Sequence, residues 1–204
     1  MQQTAPTAHS PCAGARCAWV NPSRPLEVAY HDEEWGVPQR DDRSLFEGLV
    51  LESAQSGLSW YTVLQRREGY RRAFAGFDPA LVAAFGPADV GRLLLDPGVI
   101  RHRGKIEATI NNAARFLEVQ AAFDGFSNYA WGFVDGLPRD GRRRQQGDVP
   151  ASSPESDRLA RDLKRRGFRF LGSTTVYAWM QAAGLVNDHL VECHRYQQIC
   201  AACS

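Results

Sequence analysis

Apolar residues recur at intervals of three and four along most of this chain, which is the spacing of one face of an α-helix. The clearest run covers residues 101–121 and places Ile106, Ile110 and Leu117 on one face. No long alternation of apolar and polar residues stands out, as a half-buried β-strand would require. The pattern therefore predicts an all-α fold.

Capping residues and prolines divide the remaining pattern into shorter helices. Their predicted starts are Asp41 or Asp42, Ser59, Asp78, Gly86, Ser152, and positions near Tyr129 and Thr174. Ser152 is chosen because Glu155, three residues later, completes a capping box. Residues 17–38 carry aromatic side chains among prolines and glycines, which favours an irregular but packed segment, and the polar residues 136–150 are expected to form a loop.

The length of 204 residues suits one compact domain. We expect it to cover residues 17–194, with a flexible tail over 1–16 and a short tail over 195–204. No stretch approaches the ~20 uninterrupted apolar residues of a membrane span, and no apolar signal-peptide core is present. The expectation is a cytoplasmic, monomeric protein with reduced thiols.

The charge balance changes this picture only locally. The 24 Lys+Arg nearly balance the 23 Asp+Glu, which excludes a strongly basic protein of the kind that coats nucleic acid. Lys105 and Lys164 are the lysines, so nearly all cations are arginines, whose planar donors suit phosphate oxygens. Clusters lie at 101–105, 142–144 and 164–169. Solvated surface explains most such clusters, so charge alone does not identify a binding site.

A Pro-Gly turn at residues 96–98 separates two predicted helices, an arrangement typical of a helix-hairpin-helix. Such a turn binds DNA phosphates through exposed backbone N–H groups and the positive end of the second helix dipole. The residues expected to contact DNA are Gly98, Val99, Arg101, Arg103 and Lys105. Many helical proteins use Pro-Gly only to turn the chain, so the motif alone leaves both explanations open.

A second candidate for chemistry is the pair His189 and Cys193. Their spacing places imidazole and thiolate on one face of a helical turn, where a helix offers two ligands to Zn²⁺. Cys17 and His31 could complete a closed, structural site. The C-x-x-C segment 200–203 with Cys193 is nearly as good by spacing alone.

The third candidate is Glu52, which lies in the largely apolar stretch 50–60 near Gln55. In a cleft of low polarity its pKa would rise and it would become a strong hydrogen-bond acceptor, whereas on a wet helix face it would be ordinary. Aromatic residues that could stack on a planar ring, or could simply form core, are Trp19, Tyr30, Trp35, Trp60 and Tyr61.

Several of these segments together resemble the DNA-3-methyladenine glycosylase I family, the constitutive bacterial alkylation-repair glycosylases. The resemblance is carried, in order, by 16–20 (RCAWV), 29–38 (AYHDEEWGVP), 57–60 (GLSW), 100–106 (IRHRGKI) and 184–189 (GLVNDH). It runs collinearly over most of the chain, which makes a chance match improbable.

The resemblance implies a helix-hairpin-helix glycosylase fold in which one structural zinc joins the N- and C-terminal segments. The implied zinc ligands are Cys17, His31, His189 and Cys193. It further places Glu52 and the substrate-binding aromatic residues Trp19, Tyr30, Trp35 and Trp60 around the extruded base. Glu52 is the catalytic candidate, with base recognition and water activation both open as its role. The implied activity is base-excision repair: hydrolysis of the N-glycosidic bond of 3-methyladenine in double-stranded DNA, with free 3-methyladenine as product.

One position departs from the family pattern. Glu27 stands where some members carry an aromatic residue, which predicts a thinner stacking wall around the base. Many relatives in the wider superfamily use an aspartate beyond the hairpin to activate water; Asp124 is the first aspartate after it here, and we assign it no such role.

Two other functions remain open at this stage. A bifunctional glycosylase and lyase would need an amine nucleophile, for which Lys105 is the one lysine near the hairpin. A zinc-stabilised DNA-binding module would need no catalytic residue. Release of free base distinguishes this module from either enzyme.

Overall fold

Helices form most of the computed structural model, which describes residues 14–201. The all-α prediction is confirmed in its main part, since the described residues are mostly helical, although one pair of two-residue strands is also present. The α-helices of this range are α1 Pro25–Ala29, α2 Asp42–Gln55, α3 Trp60–Leu64, α4 Arg67–Ala73, α5 Pro79–Ala83, α6 Pro87–Leu95, α7 Arg103–Phe123, α8 Phe126–Trp131, α9 Pro154–Arg165, α10 Ser173–Ala182 and α11 His194–Ala201. Short 3₁₀ turns lie at Ala75–Phe77, Gly132–Val134 and Gln146–Asp148.

The segment predicted as irregular is helical in part. Pro25 is the first residue of α1, where its missing N–H costs no hydrogen bond, so this proline starts a helix and does not break one. A π-helix, Tyr30–Glu34, follows directly, and its wider turn is closed by the Trp35 N–H donating to the Tyr30 carbonyl at 2.8 Å.

Two further elements were not predicted. Helix α4 has no clear capping signal, since Arg66 precedes it and makes no side-chain cap. In the predicted loop, β1 Arg139–Asp140 pairs in parallel with β2 Val186–Asn187. Strands of two residues are too short to produce an alternating pattern.

Two predicted ends need correction. The cap of α9 is Ser153, whose hydroxyl accepts from the Ser156 N–H, while the Ser156 hydroxyl accepts from the Ser153 N–H. Helix α11 occupies most of the expected C-terminal tail because Tyr196 and Ile199 are buried. Most of the expected N-terminal tail, residues 1–13, lies outside the described residues.

The core fixes α2, which carries Glu52, against α7, α8 and α10. Phe116 of α7 stacks on Phe126 with ring centroids 4.1 Å apart and meets Phe46 of α2 edge-on. Trp179 of α10 donates its indole N–H to the Leu45 carbonyl at 3.1 Å. These contacts hold the buried face of α2 in a fixed position. Within residues 14–201, no helix combines the length and the apolar character that crossing a bilayer demands.

Candidate active site and metal centre

A cavity of about 290 Å³ lies among the N-terminal segment, α2, α3 and α10. Its aromatic walls are Trp19, Tyr30, Trp35 and Trp60. Its polar groups are Glu27, Glu52, Gln55, Gln146, Gln181 and Asp188. The volume and the mixture of flat rings with a few polar groups suit a small planar ligand. The five cavity residues implied by the sequence resemblance thus lie around one cavity.

Glu52 is a buried carboxylate without a hydrogen-bond partner in the described part of the chain. It lies near the end of α2 and is 6 % exposed. Burial raises its pKa to about 8, because the charged form loses its hydration. A carboxylate in this state has unused acceptor capacity and would be stabilised by a cationic ligand.

The aromatic residues form a connected wall beside this carboxylate. Tyr30 and Trp60 lie with ring centroids 5.1 Å apart, and Trp19 meets Trp35 edge-on at 5.2 Å. The indole N–H groups of Trp19 and Trp60 are buried and have no partner among the described residues. The wall therefore includes two indole N–H groups that the described protein atoms leave without an acceptor.

Glu27 lies on the same cavity, at the position where the family resemblance had predicted a change in the stacking wall. It is 6 % exposed, and Arg24 donates to its carboxylate at 3.4 Å. The Arg24 guanidinium also lies over the Tyr61 ring, 4.5 Å from its centre. The wall at this point is a paired acid and not an aromatic ring.

Asp188 and Gln181 are cavity residues that sequence reasoning missed. The Asp188 side chain is fully buried and accepts hydrogen bonds from Arg143, Tyr177 and Gln181. The signal that could have found Asp188 is its place beside the predicted ligand His189. Nothing in the pattern around Gln181 distinguishes it from an ordinary helix residue.

A four-residue cluster that could hold a metal ion lies beside the cavity. Cys17, His31, His189 and Cys193 are all buried, and their ligand atoms lie within 4.8 Å of one another. The Cys17 Sγ is 3.5 Å from His189 Nδ1, and the Cys193 Sγ is 3.4 Å from His31 Nε2. Cys203 of the competing C-x-x-C segment lies outside the described residues.

The outer nitrogens of both histidines are held by neighbours. The His31 Nδ1 lies 2.8 Å from an Asp32 carboxylate oxygen, and the His189 Nε2 lies 2.9 Å from the Trp35 carbonyl. These contacts orient each ring so that its other nitrogen faces the cysteines. Gly36 permits the close approach of His189, since a Cβ there would lie 2.9 Å from Nε2.

The two thiols of the cluster share a proton unequally. Hydrogen bonds from Cys17, His189 and His31 lower the pKa of Cys193 and favour its thiolate. The pKa of Cys17 is raised, because its thiol donates to Cys193 and is buried. One sulfur of the cluster is thereby already suited to a cation.

The 96–98 turn between α6 and α7 differs from the expected phosphate site. The Gly98 N–H donates to the Asp96 carboxylate at 2.7 Å, and the Val99 N–H donates to the Asp96 carbonyl. Val99 is also buried. Among residues 96–105, the backbone N–H groups without a partner in the described part of the chain are those of Arg101, Arg103 and Gly104. The free donors therefore lie just after the turn.

Lys105 also departs from expectation. Its ammonium does not extend into solvent beside Arg101 and Arg103, which are both exposed. It donates instead to the carbonyl oxygens of Ala54 and Ser56, at 2.9 and 2.6 Å. Partial burial lowers its pKa.

Comparison with known proteins agrees with this arrangement. The Methyladenine glycosylase family matches the chain over residues 19–196. DNA-3-methyladenine glycosylase 1 of Escherichia coli (strain K12) is 49 % identical over 89 % of this chain and 96 % of its own length. DNA-3-methyladenine glycosylase of Haemophilus influenzae is 43 % identical over 87 % of this chain and 96 % of its own length.

Solved structures agree in fold. A crystal structure of 3-methyladenine DNA glycosylase I superimposes with a TM-score of 0.86 at 50 % identity, and the match covers 88 % of this chain and 98 % of the other. A variant of 3-methyladenine DNA glycosylase I in complex with 3-methyladenine gives 0.85 at 38 % identity, over 88 % and 96 % of the two chains. The chain therefore belongs to the methyladenine glycosylase family.

Proposed function

We propose that this protein hydrolyses the N-glycosidic bond of 3-methyladenine in double-stranded DNA and leaves an abasic site. The observation that carries the proposal is the buried, unpartnered carboxylate of Glu52 beside the rings of Tyr30 and Trp60. A solved relative binds 3-methyladenine itself. The cavity offers this base both stacking surfaces and a hydrogen-bond acceptor.

The substrate supplies much of the driving force. Methylation at N3 leaves a positive charge on the base while it is attached to deoxyribose, so the base is a good leaving group without protonation. The enzyme must extrude the nucleotide, recognise the cationic ring and accommodate a positively charged sugar in the transition state. Glu52 would accept hydrogen bonds from the base edge, and the aromatic wall would stack on an electron-poor face.

The DNA backbone would be held after the turn between α6 and α7, in a helix-hairpin-helix arrangement. Arg101 and Arg103 are exposed and would pair with phosphates, together with the free N–H groups at the start of α7. Such contacts position the duplex without reading its sequence. The damaged base itself would then provide the selectivity.

The metal proposed for the cluster is a structural zinc. Bonds of about 2.3 Å to sulfur and about 2.05 Å to nitrogen place these atoms about 3.6 Å apart in a tetrahedron. The distances from Cys193 Sγ to His31 Nε2 and His189 Nδ1, 3.4 and 3.6 Å, fit that geometry. A bound zinc would supply a cross-link between the two ends of the domain. Four protein ligands leave no position for a reacting water.

A lyase activity at Lys105 is less well supported. A Schiff-base nucleophile must reach the sugar as a free amine, whereas this ammonium is engaged by two main-chain carbonyls. Borohydride reduction on abasic DNA tests the point, and we expect no trapped protein–DNA adduct.

The test of the main proposal is release of free 3-methyladenine from methylated duplex DNA. Glu52→Gln keeps the size of the side chain but cannot ionise when the cationic base binds, and we expect the single-turnover rate to fall about 100-fold. Glu118→Gln, on the exposed face of α7, is the matched control and should retain the wild-type rate. If the wild-type protein bound DNA but released no base at any concentration, the non-catalytic module would be correct.

A further inference from the structure

The ammonium of Lys105 forms a link between two parts of the molecule with different tasks. Lys105 lies in the first turn of α7, directly after the turn proposed to contact DNA. Its two acceptors, the carbonyls of Ala54 and Ser56, lie at the end of α2, two and four residues beyond Glu52. The last carbonyls of a helix lack partners within the helix, and a cation there also meets the negative end of its dipole.

The connection from α2 to α3 has little other polar support. Residues 56–59 are exposed, and this short segment leads directly to Trp60. Its remaining hydrogen bonds are local: the Leu58 N–H donates to the Gln55 carbonyl, and Ser59 caps α3. Among residues 14–201, the two bonds from Lys105 are the hydrogen bonds that join residues 54–59 to an element other than α2 and α3.

Glu52 and Trp60, which flank this connection, both line the cavity. A change in the path of residues 54–59 would alter the separation between the carboxylate and the stacking ring. Arg103, on the same end of α7, differs from Lys105: it is exposed, and its ion pair within residues 14–201 is with Glu107, one turn later.

We propose that Lys105 is a positioning residue, which ties the DNA-facing start of α7 to the α2–α3 connection and thereby holds Glu52 and Trp60 in their binding arrangement. This inference rests on the proposed glycosylase function. It assigns Lys105 neither a phosphate contact nor a covalent step.

The test compares Lys105→Met with Arg103→Met. Free 3-methyladenine is titrated by tryptophan fluorescence, and a duplex with a stable abasic analogue is titrated at several salt concentrations. For Lys105→Met we expect about tenfold weaker binding of the base and a comparable loss of kcat, with affinity for the duplex changed less than twofold. For Arg103→Met we expect the opposite result: weaker binding of the duplex and unchanged affinity for the base. The slope of log K for the duplex against log salt concentration should fall in magnitude by about one.

Lys105→Arg retains a charged donor and should restore part of the base affinity. The positioning role would be overturned if Lys105→Met showed the Arg103→Met pattern, or if its melting temperature fell while base affinity stayed at the wild-type value.

Hydrogen exchange provides a second, independent measurement. The Leu58 amide, which donates to the Gln55 carbonyl, should exchange faster in Lys105→Met, or in Lys105→Gln if the first variant does not fold, while the amides of the α2 core stay protected. An unchanged exchange rate of this amide would contradict the proposal that Lys105 orders the α2–α3 connection. If wild-type protein neither bound nor released 3-methyladenine, the proposed function would fail, whereas the exchange result would still decide whether Lys105 orders the connection.

Discussion

Glu52 shows at the scale of one residue how burial prepares a group for a cationic ligand. Its pKa of about 8 in the folded state exceeds the ordinary value of 4.5, so the folded protein holds a proton that the unfolded chain has released. Between these two values the free energy of unfolding must fall as pH rises. The slope from one such group approaches about 1.4 kcal/mol for each pH unit.

This slope gives a prediction. From pH 5 to pH 8, wild-type protein without ligand should lose stability relative to Glu52→Gln, which cannot ionise. The measurement is urea unfolding of both proteins across this range. Parallel stability curves would mean that the carboxyl group is solvated in the folded state.

The residues of the site differ in how far the sequence predicts them. Glu52 carries a local signal in its apolar stretch, and His189 and Cys193 carry one in their spacing. Cys17 and His31 are assigned to the cluster by the family resemblance. Asp188 and Gln181 acquire their role only because α10 and the segment after it pack against the cavity. Such convergence depends on tertiary contacts, which a local pattern does not contain.

At the scale of elements, the position of the 96–98 turn depends on its contact with α4. A Cβ on Gly69 would lie 2.2 Å from the Gly98 carbonyl oxygen, and its other close neighbours are also backbone atoms of Gly98. The Tyr70 hydroxyl, next along α4, accepts a hydrogen bond from the Ile100 N–H. Helix α4 therefore packs directly against the turn and fixes its position.

We predict that Gly69→Ala displaces the turn, destabilises the protein by about 1–3 kcal/mol and weakens DNA binding. Gly91→Ala is the matched control, because a Cβ there meets nothing within 4 Å. The control should gain about 0.5–1 kcal/mol from helix propensity. Thermal unfolding and duplex titration measure both effects; equal stability of the two variants would exclude close packing at Gly69.

The elements that the sequence did not predict are short and lack a local signal. Helix α4 and the π-helix have no capping signal, and the strand pair is too short for a period. Long amphipathic helices such as α7 were predictable because periodicity accumulates over several turns. The close approach of Gly69 to Gly98 has no counterpart in any local pattern.

At the scale of the whole molecule, the Cys/His cluster joins the beginning and the end of the domain. Cys17 and His31 come from the N-terminal segment, and His189 and Cys193 follow β2. A metal that binds the folded cluster but not the unfolded chain would add its binding free energy to the stability of the fold. The ends of the domain should therefore depend on metal for their stability.

We predict one equivalent of zinc in the purified protein. Cys193→Ala should lose it and unfold at a lower temperature, whereas Cys200→Ala should retain it. Metal content by plasma emission spectrometry, together with melting curves before and after chelation, checks this. Zinc retained at full occupancy in Cys193→Ala would show that the ligand set is wrong.

Two tryptophans lie between the cavity and the Cys/His cluster, and this position has a consequence for fluorescence measurements. Trp19 and Trp35 line the cavity, yet their rings lie 5.4 and 4.6 Å from the ring centres of His31 and His189. Their emission should respond to metal release as well as to a bound base. A fluorescence titration with 3-methyladenine must therefore be made at fixed metal occupancy, since the same indoles report on both sites.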